Sequence, residues 1–146
     1  MPANGLAERR ATVARAKTLV GGRVYESALP DDANPPRSSD GKIAPHIILD
    51  FGAPVRSMRD RVLANPEKGQ PHVLPLNAAC VAGDADTASV VMASLFDLLV
   101  DWAPTSASDP FEAQGGYGGN RPATGNTPTR FISGAFFQAV VNVNPE

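Results

Sequence analysis

Residues Gln70 to Thr105 read QPHVLPLNAACVAGDADTASVVMASLFDLLVDWAPT, and this stretch decides the fold. From His72 to Ala82 the side chains alternate as a strand requires. Leu74, Leu76, Ala78 and Cys80 fall on one face, and Val73, Asn77, Ala79 and Val81 on the other. Pro71 and Pro75 have no N–H to donate, so the early part of this strand is expected at a sheet edge or a bulge. Gly83-Asp84 then leads into a helix, with Asp84 as N-cap and Asp86 placing negative charge near the positive end of the dipole. Ala88, Val91, Leu95, Leu98, Leu99 and Trp102 recur at helical spacing as a core stripe, and Trp102-Ala103-Pro104 is the expected stop. Val90, Met92, Phe96 and Val100 extend the apolar surface beyond one face. A helix with that much apolar surface is expected to be covered on more than one side, partly by another subunit.

Upstream, Leu6 to Val20 reads as a helix whose inner side carries Leu6, Val13, Ala16 and Val20, with Arg9, Arg10, Arg15 and Lys17 over much of the rest. Asn4 is the expected N-cap and Gly21-Gly22 the stop. Arg23 to Ala28 is a short extended segment, and Pro30 to Pro45 a loop with no apolar period. In His46 to Phe51 a strand sets Ile47, Leu49 and Phe51 against His46, Ile48 and Asp50. Val55 to Gly69 is expected to form a hairpin arm between two antiparallel strands, bearing Arg56, Arg59 and Arg61.

Downstream, Asp109 to Thr129 reads as a second irregular excursion around Gly115 to Gly119. Arg130 to Val143 then alternates, with Phe131, Ser133, Ala135, Phe137, Ala139 and Val141 on one face and Ile132, Gly134, Phe136, Gln138 and Val140 on the other. Apolar residues on both faces make it the best candidate for a central strand. The expected class is α+β, a single mostly antiparallel sheet of about four strands flanked by two helices, with long loop and arm excursions. Residues 1–146 are expected to be one domain with loops at about 30–45 and 109–129 and an arm at about 53–71.

Composition bounds the function. The chain is 42% hydrophobic and 19% charged, and its fourteen prolines and thirteen glycines cluster outside the periodic segments. A net charge of −2 gives no electrostatic footprint for tight nucleic-acid binding. The single cysteine, Cys80, cannot form an internal disulfide and reads as a small core side chain. Met1 to Arg10 has no apolar core of a secretory leader, and no apolar run reaches the ~18 residues of a membrane span, so cytoplasmic synthesis is expected.

No constellation of reactive side chains stands out. His46, Asp50, His72 and Cys80 follow no ligand spacing. Asp84-Ala85-Asp86 lacks the remaining calcium ligands, and Gly115 to Gly119 is followed by no Lys-Ser/Thr pair to hold phosphate. Catalytic, cofactor and metal sites are therefore not expected; a small hydrolase using Cys80 or His46 is the distant alternative. Arg56, Arg59 and Arg61 lack interleaved aromatics for base stacking, which leaves a solvated arm or a protein contact. With Phe96, Val100 and Tyr117 they are the candidate residues for a subunit or partner interface.

The segment Val73 to Thr105, with its strand, Asp-rich turn and Ala88-x-x-Val91-x-x-x-Leu95-x-x-x-Leu99-x-x-Trp102 helix, resembles the tail terminator proteins of long-tailed bacteriophages. Gly21-Gly22-Arg23-Val24-Tyr25 and Ile47-Ile48-Leu49-Asp50-Phe51-Gly52 sit where that family places its first two strands. The resemblance implies a structural virion protein assembled in the host cytoplasm. It would form a hexameric ring on the head-proximal end of the tail tube, ending polymerisation there and meeting the head-completion or stopper protein. DNA would pass through the lumen without specific binding, there would be no membrane contact, and no cofactor is implied. Another head–tail connector or the tube subunit itself is the alternative. The Pro30–Pro45 segment and the long Asp109–Thr129 stretch depart from the family pattern.

Overall fold

The computed structural model describes residues 5–27, 36–53, 55–56, 72–122 and 129–141. Its elements are α1 (Leu6–Ala16), β1 (Val24–Glu26), β2 (His46–Phe51), β3 (Val55–Arg56), β4 (His72–Ala82), α2 (Ala85–Leu99), β5 (Glu112–Pro122) and β6 (Phe131–Val141). One mixed sheet holds all the strands in the order β1-β2-β4-β6-β5, with β3 also pairing β4. The β1–β2 pair is parallel and the remaining pairs are antiparallel. The class is α+β with a single sheet, and the six strands exceed the expected number because β3 and β5 were not counted among them.

Alternation sorts the sheet into two faces. Ile47, Leu49, Leu74, Leu76, Ala78, Cys80, Ala135, Phe137, Ala139 and Val141 are buried beneath the helices. From α2, Ala88, Met92, Leu95 and Leu99 meet them. Full burial of a leucine contributes on the order of 1.5–3 kcal/mol, so Leu95 and Leu99 alone are a substantial part of the stability. Asp84 caps α2 as expected, its carboxylate accepting from the Thr87 N–H at 2.7 Å. That bond holds the Asp84 carboxyl below its usual pKa.

The apolar surface of α2 is covered within the chain. Phe96 lies 5.0 Å from the Phe137 ring, and Trp102 stacks at 6.4 Å on Phe111. The Arg15 guanidinium of α1 sits 4.7 Å from the Trp102 ring while its Nε donates to the Leu98 carbonyl at 2.7 Å. Only Val90, 65% exposed, stays open among the helix's large described apolar side chains. Cover on more than one side, as expected, thus comes largely from within the chain. The helix also ends at Leu99 and not at Trp102-Ala103-Pro104: Val100 turns extended to bridge Phe111, and this tertiary pairing ends the helix before the proline does.

Of the expected inner side of α1, Val13 and Ala16, with Val20 just past the helix, lie in or against the core, and the structure departs from it elsewhere. Leu6 is exposed, whereas Glu8, Thr12 and Ala16 are buried. Their polar groups are satisfied on the spot, since Thr12 Oγ1 donates to the Glu8 carbonyl at 2.7 Å and Thr105 Oγ1 donates to Glu8 Oε1 at 3.0 Å. Gly5 occupies the N-cap, and Asn4 lies outside the described residues.

Two strand readings change. Residues 112–122, expected as part of an irregular loop, form β5 against β6. Their glycines leave no side-chain period to read, and the strand is held by its backbone ladder, bulged where Gly115 takes φ +121. β4, whose early part was expected at a sheet edge or bulge, is internal despite Pro75, and β6 is internal as expected, between β4 and β5. The Pro75 carbonyl accepts from the Gly52 N–H at 3.0 Å, and N–H and C=O of one strand residue point the same way. The donor that Pro75 lacks would thus point at Gly52, just past the end of β2, so the proline falls where the β2–β4 ladder is already ending. The expected hairpin arm is rooted by β3 opposite Val73 and His72, and residues 57–71 lie outside the described residues.

The Pro30–Pro45 stretch is not apolar-free in effect. Its described part, residues 36–45, makes a tight turn closed by the Arg37–Ile43 bridge, with Ile43 and Ala44 buried. Residues 28–35 lie outside the described residues.

Candidate interface surface

The described residues among the six singled out in the sequence lie on different elements. Arg56 lies on β3 with its backbone opposite His72, and Arg59 and Arg61 lie outside the described residues. Phe96 packs on Phe137, and Val100 bridges Phe111, so both serve the core of their own subunit. Tyr117 is on β5, paired with Gly134, at the opposite edge of the sheet from β1.

What the structure does assemble is a groove of about 410 Å³ on the sheet face away from the helices. Asp50, Asn77 and Phe136 stand in one row across β2, β4 and β6, and Pro75 and Gln138 pair in a neighbouring row. Gln114, at the β5 bulge, and Gly52 complete its walls. Gly52 is required by its neighbour, because a Cβ there would come 2.6 Å from Pro75 Cγ. Phe136 leaves 43% of its surface exposed, and Asn77 Oδ1 is buried with no hydrogen-bond partner. Asp50 at one side and Glu112 at the other are exposed carboxylates, and neither has a cationic partner among the described residues. A groove with carboxylates at its rims, carboxamides between them and an aromatic ring on its floor suits a polypeptide with basic side chains.

The face alternation places Asp50, Asn77, Phe136 and Gln138 on their sides. It could not bring the groove residues together, because they come from four strands whose pairing only the folded sheet reveals.

The residues with reactive potential are placed for packing. Burial pushes the Cys80 thiol up to about 12, which keeps it protonated and poorly nucleophilic. His46 is buried, its Nδ1 3.0 Å from the Ala44 carbonyl and its ring edge-on to Tyr25 at 6.0 Å. Burial lowers its pKa, the Ala44 hydrogen bond opposes that, and the Arg130 and Arg23 charges add to the lowering. The imidazole is therefore neutral near pH 7. Among the described residues no three His, Cys, Asp or Glu side chains gather to hold a metal, and no helix is long and apolar enough to cross a membrane.

The fold is similar to that of a chain in the solved virion of a native gene transfer agent (GTA) particle. The TM-score is 0.52 at 16% sequence identity, and the match covers 91% of this chain and 93% of that one. At that identity the likeness is one of fold. No protein-family model matches the chain, and no curated protein matches it in sequence.

Proposed function

We propose that the chain is a structural component of a phage-like virion, with its role at the head-proximal end of the tail. The observation that carries this reading is the end-to-end fold likeness to a chain of a GTA virion, which leaves little of either chain unmatched. The resemblance of Val73 to Thr105 to tail terminators supports the finer reading, a hexameric ring that caps the tube and meets a stopper protein.

The physical requirements of that role are modest and concern surfaces, not chemistry. A ring needs two unlike patches on each subunit, so that contact runs head to tail and closes. The open sheet face and the β5 edge are available for such contacts, whereas α2 is already covered. A net charge of −2 suits a lumen through which DNA passes, since a strongly basic channel would hold phosphate. On this reading the chain is not an enzyme, needs no cofactor and acts in the virion.

The test is to add purified protein to uncapped tail tubes and image the ends. Single rings at tube ends support the terminator role. Long filaments of the protein alone would make it a tube subunit, and attachment to heads only would make it another connector. Binding to neither tubes nor heads rejects the virion reading.

A further inference from the structure

The turn at residues 36–45 and the groove on the open face are complementary and cannot meet within one molecule. The turn is preformed: Ser38 N–H donates to the Lys42 carbonyl at 2.9 Å, Gly41 N–H to the Ser38 carbonyl at 3.0 Å, and Lys42 N–H to Asp40 Oδ1 at 3.0 Å. It is also firmly seated. Ile43 is buried, and a Cβ on Gly83 would come 2.8 Å from Lys42 Cβ and 3.1 Å from the Ile43 backbone. Arg37 and Lys42 project from its two legs, both exposed. Lys42 has Asp84 nearby, whereas Arg37 has no ion-pair partner among the described residues.

The groove offers the opposite charge. Asp50 on β2 and Glu112 on β5 are separated by three strand spacings, roughly 14 Å, with Asn77, Gln138 and Phe136 between them. The turn precedes the start of β2 and the groove lies toward its end, with roughly 13 Å of strand from His46 to Asp50. Because the turn is anchored on Gly83, it cannot fold back into the groove of its own subunit.

We propose that the groove around Asp50, Asn77 and Phe136 receives the Arg37–Lys42 turn of a second copy of this chain, with the neighbour's Arg37 paired to Asp50. The two patches are unlike, so the contact is heterologous and propagates from copy to copy into a ring or a helix. It rests on the ring reading above and specifies which surfaces make that ring.

Sedimentation velocity of the purified chain over a wide concentration range tests it, with circular dichroism confirming that each variant is folded. Asp50→Arg and Arg37→Asp should each weaken self-association by at least about tenfold, since each sets like charges together. The double variant carries the swapped pair at every contact and should return to within about threefold of wild type. A 1:1 mixture of the two single variants should also associate, because alternating subunits restore opposite charges at each contact. A wild-type chain that stays monomeric throughout, single variants that associate as wild type does, or a folded double variant that fails to recover would each overturn the proposal.

Incorporation into purified particles, read by mass spectrometry, tests the virion reading separately. Particles that contain the chain while the single variants associate normally would leave that reading standing and remove the groove contact. Charge-swap recovery with a chain that never enters particles would do the reverse.

Discussion

The two faces of the sheet are made by the same strands and do different work. Beneath the helices, Leu74, Leu76, Ala78 and Cys80 of β4 have almost no exposure. On the other face of that strand, Val73, Pro75, Asn77 and Ala79 are only partly covered, and the adjacent Phe136 and Asp50 are exposed. The difference teaches that α2, strongly apolar in the sequence, spends most of that apolar surface on its own sheet. The exposed surface lies instead on a face that the sequence shows as merely mixed.

The largest effect expected on this contrast comes from Leu95→Asp, which buries a charge on the covered side. It should cost more than about 4 kcal/mol and leave no cooperative thermal transition. Next is Gly83→Val, whose side chain would press on the Ile43 backbone. A loss of about 1–3 kcal/mol in denaturant unfolding is expected, together with a displaced 36–45 turn. A retained native stability would show that the turn is not seated as described.

His46 is the place where the open face is closed, and it should titrate accordingly. Its folded pKa lies below the unfolded value of about 6.5, so the unfolded state binds more protons between the two. Stability should therefore be level above about pH 6.5 and fall as pH drops toward the folded pKa, and His46→Gln should flatten that part of the melting profile. The Asp84 cap loses its contribution lower, as pH falls from about 3.8 through its depressed folded pKa, so the loss due to His46 begins at the higher pH. A wild-type profile that is flat from pH 7 to 5 would contradict the buried neutral imidazole.

Cys80 sharpens the same contrast chemically. With its thiol pushed up to about 12 and no exposure, it should resist a disulfide reagent at pH 8 until the protein is unfolded. Prompt labelling of the native protein would mean that the covered face opens. A smaller effect, roughly 1 kcal/mol, is expected from Phe136→Ser, because 43% of the residue's surface is already exposed.

The sequence made the β4–α2 unit legible because both its periods are carried by apolar side chains. Asp84 was recognisable as a cap because its position is fixed by the turn before the helix. β5 was illegible for the opposite reason: Gly115, Gly116, Gly118 and Gly119 have no side chains to alternate, and an edge strand can be held by backbone bonds alone. The inner side of α1 is legible only in part, through Val13, Ala16 and Val20, because Glu8 and Thr12 are buried polar residues bonded to each other and to Thr105, a pairing across the fold that hydropathy does not encode. Phe96 and Val100 were read as surface to spare, and only the positions of Phe137 and Phe111 show what covers them. The groove needed the register of four strands before its residues became neighbours.

The order of the strands bears on how the protein is made. Along one side β4 is paired by β2 and β3, which leave the ribosome before or with it, but along the other by β6, the last of the strands to be synthesised. At ordinary translation speeds that side stays open for on the order of several seconds. During this interval α2 can shield a face of the nascent sheet but not its unpaired rim, so the newborn chain is most exposed to wrong partners along what becomes its innermost seam.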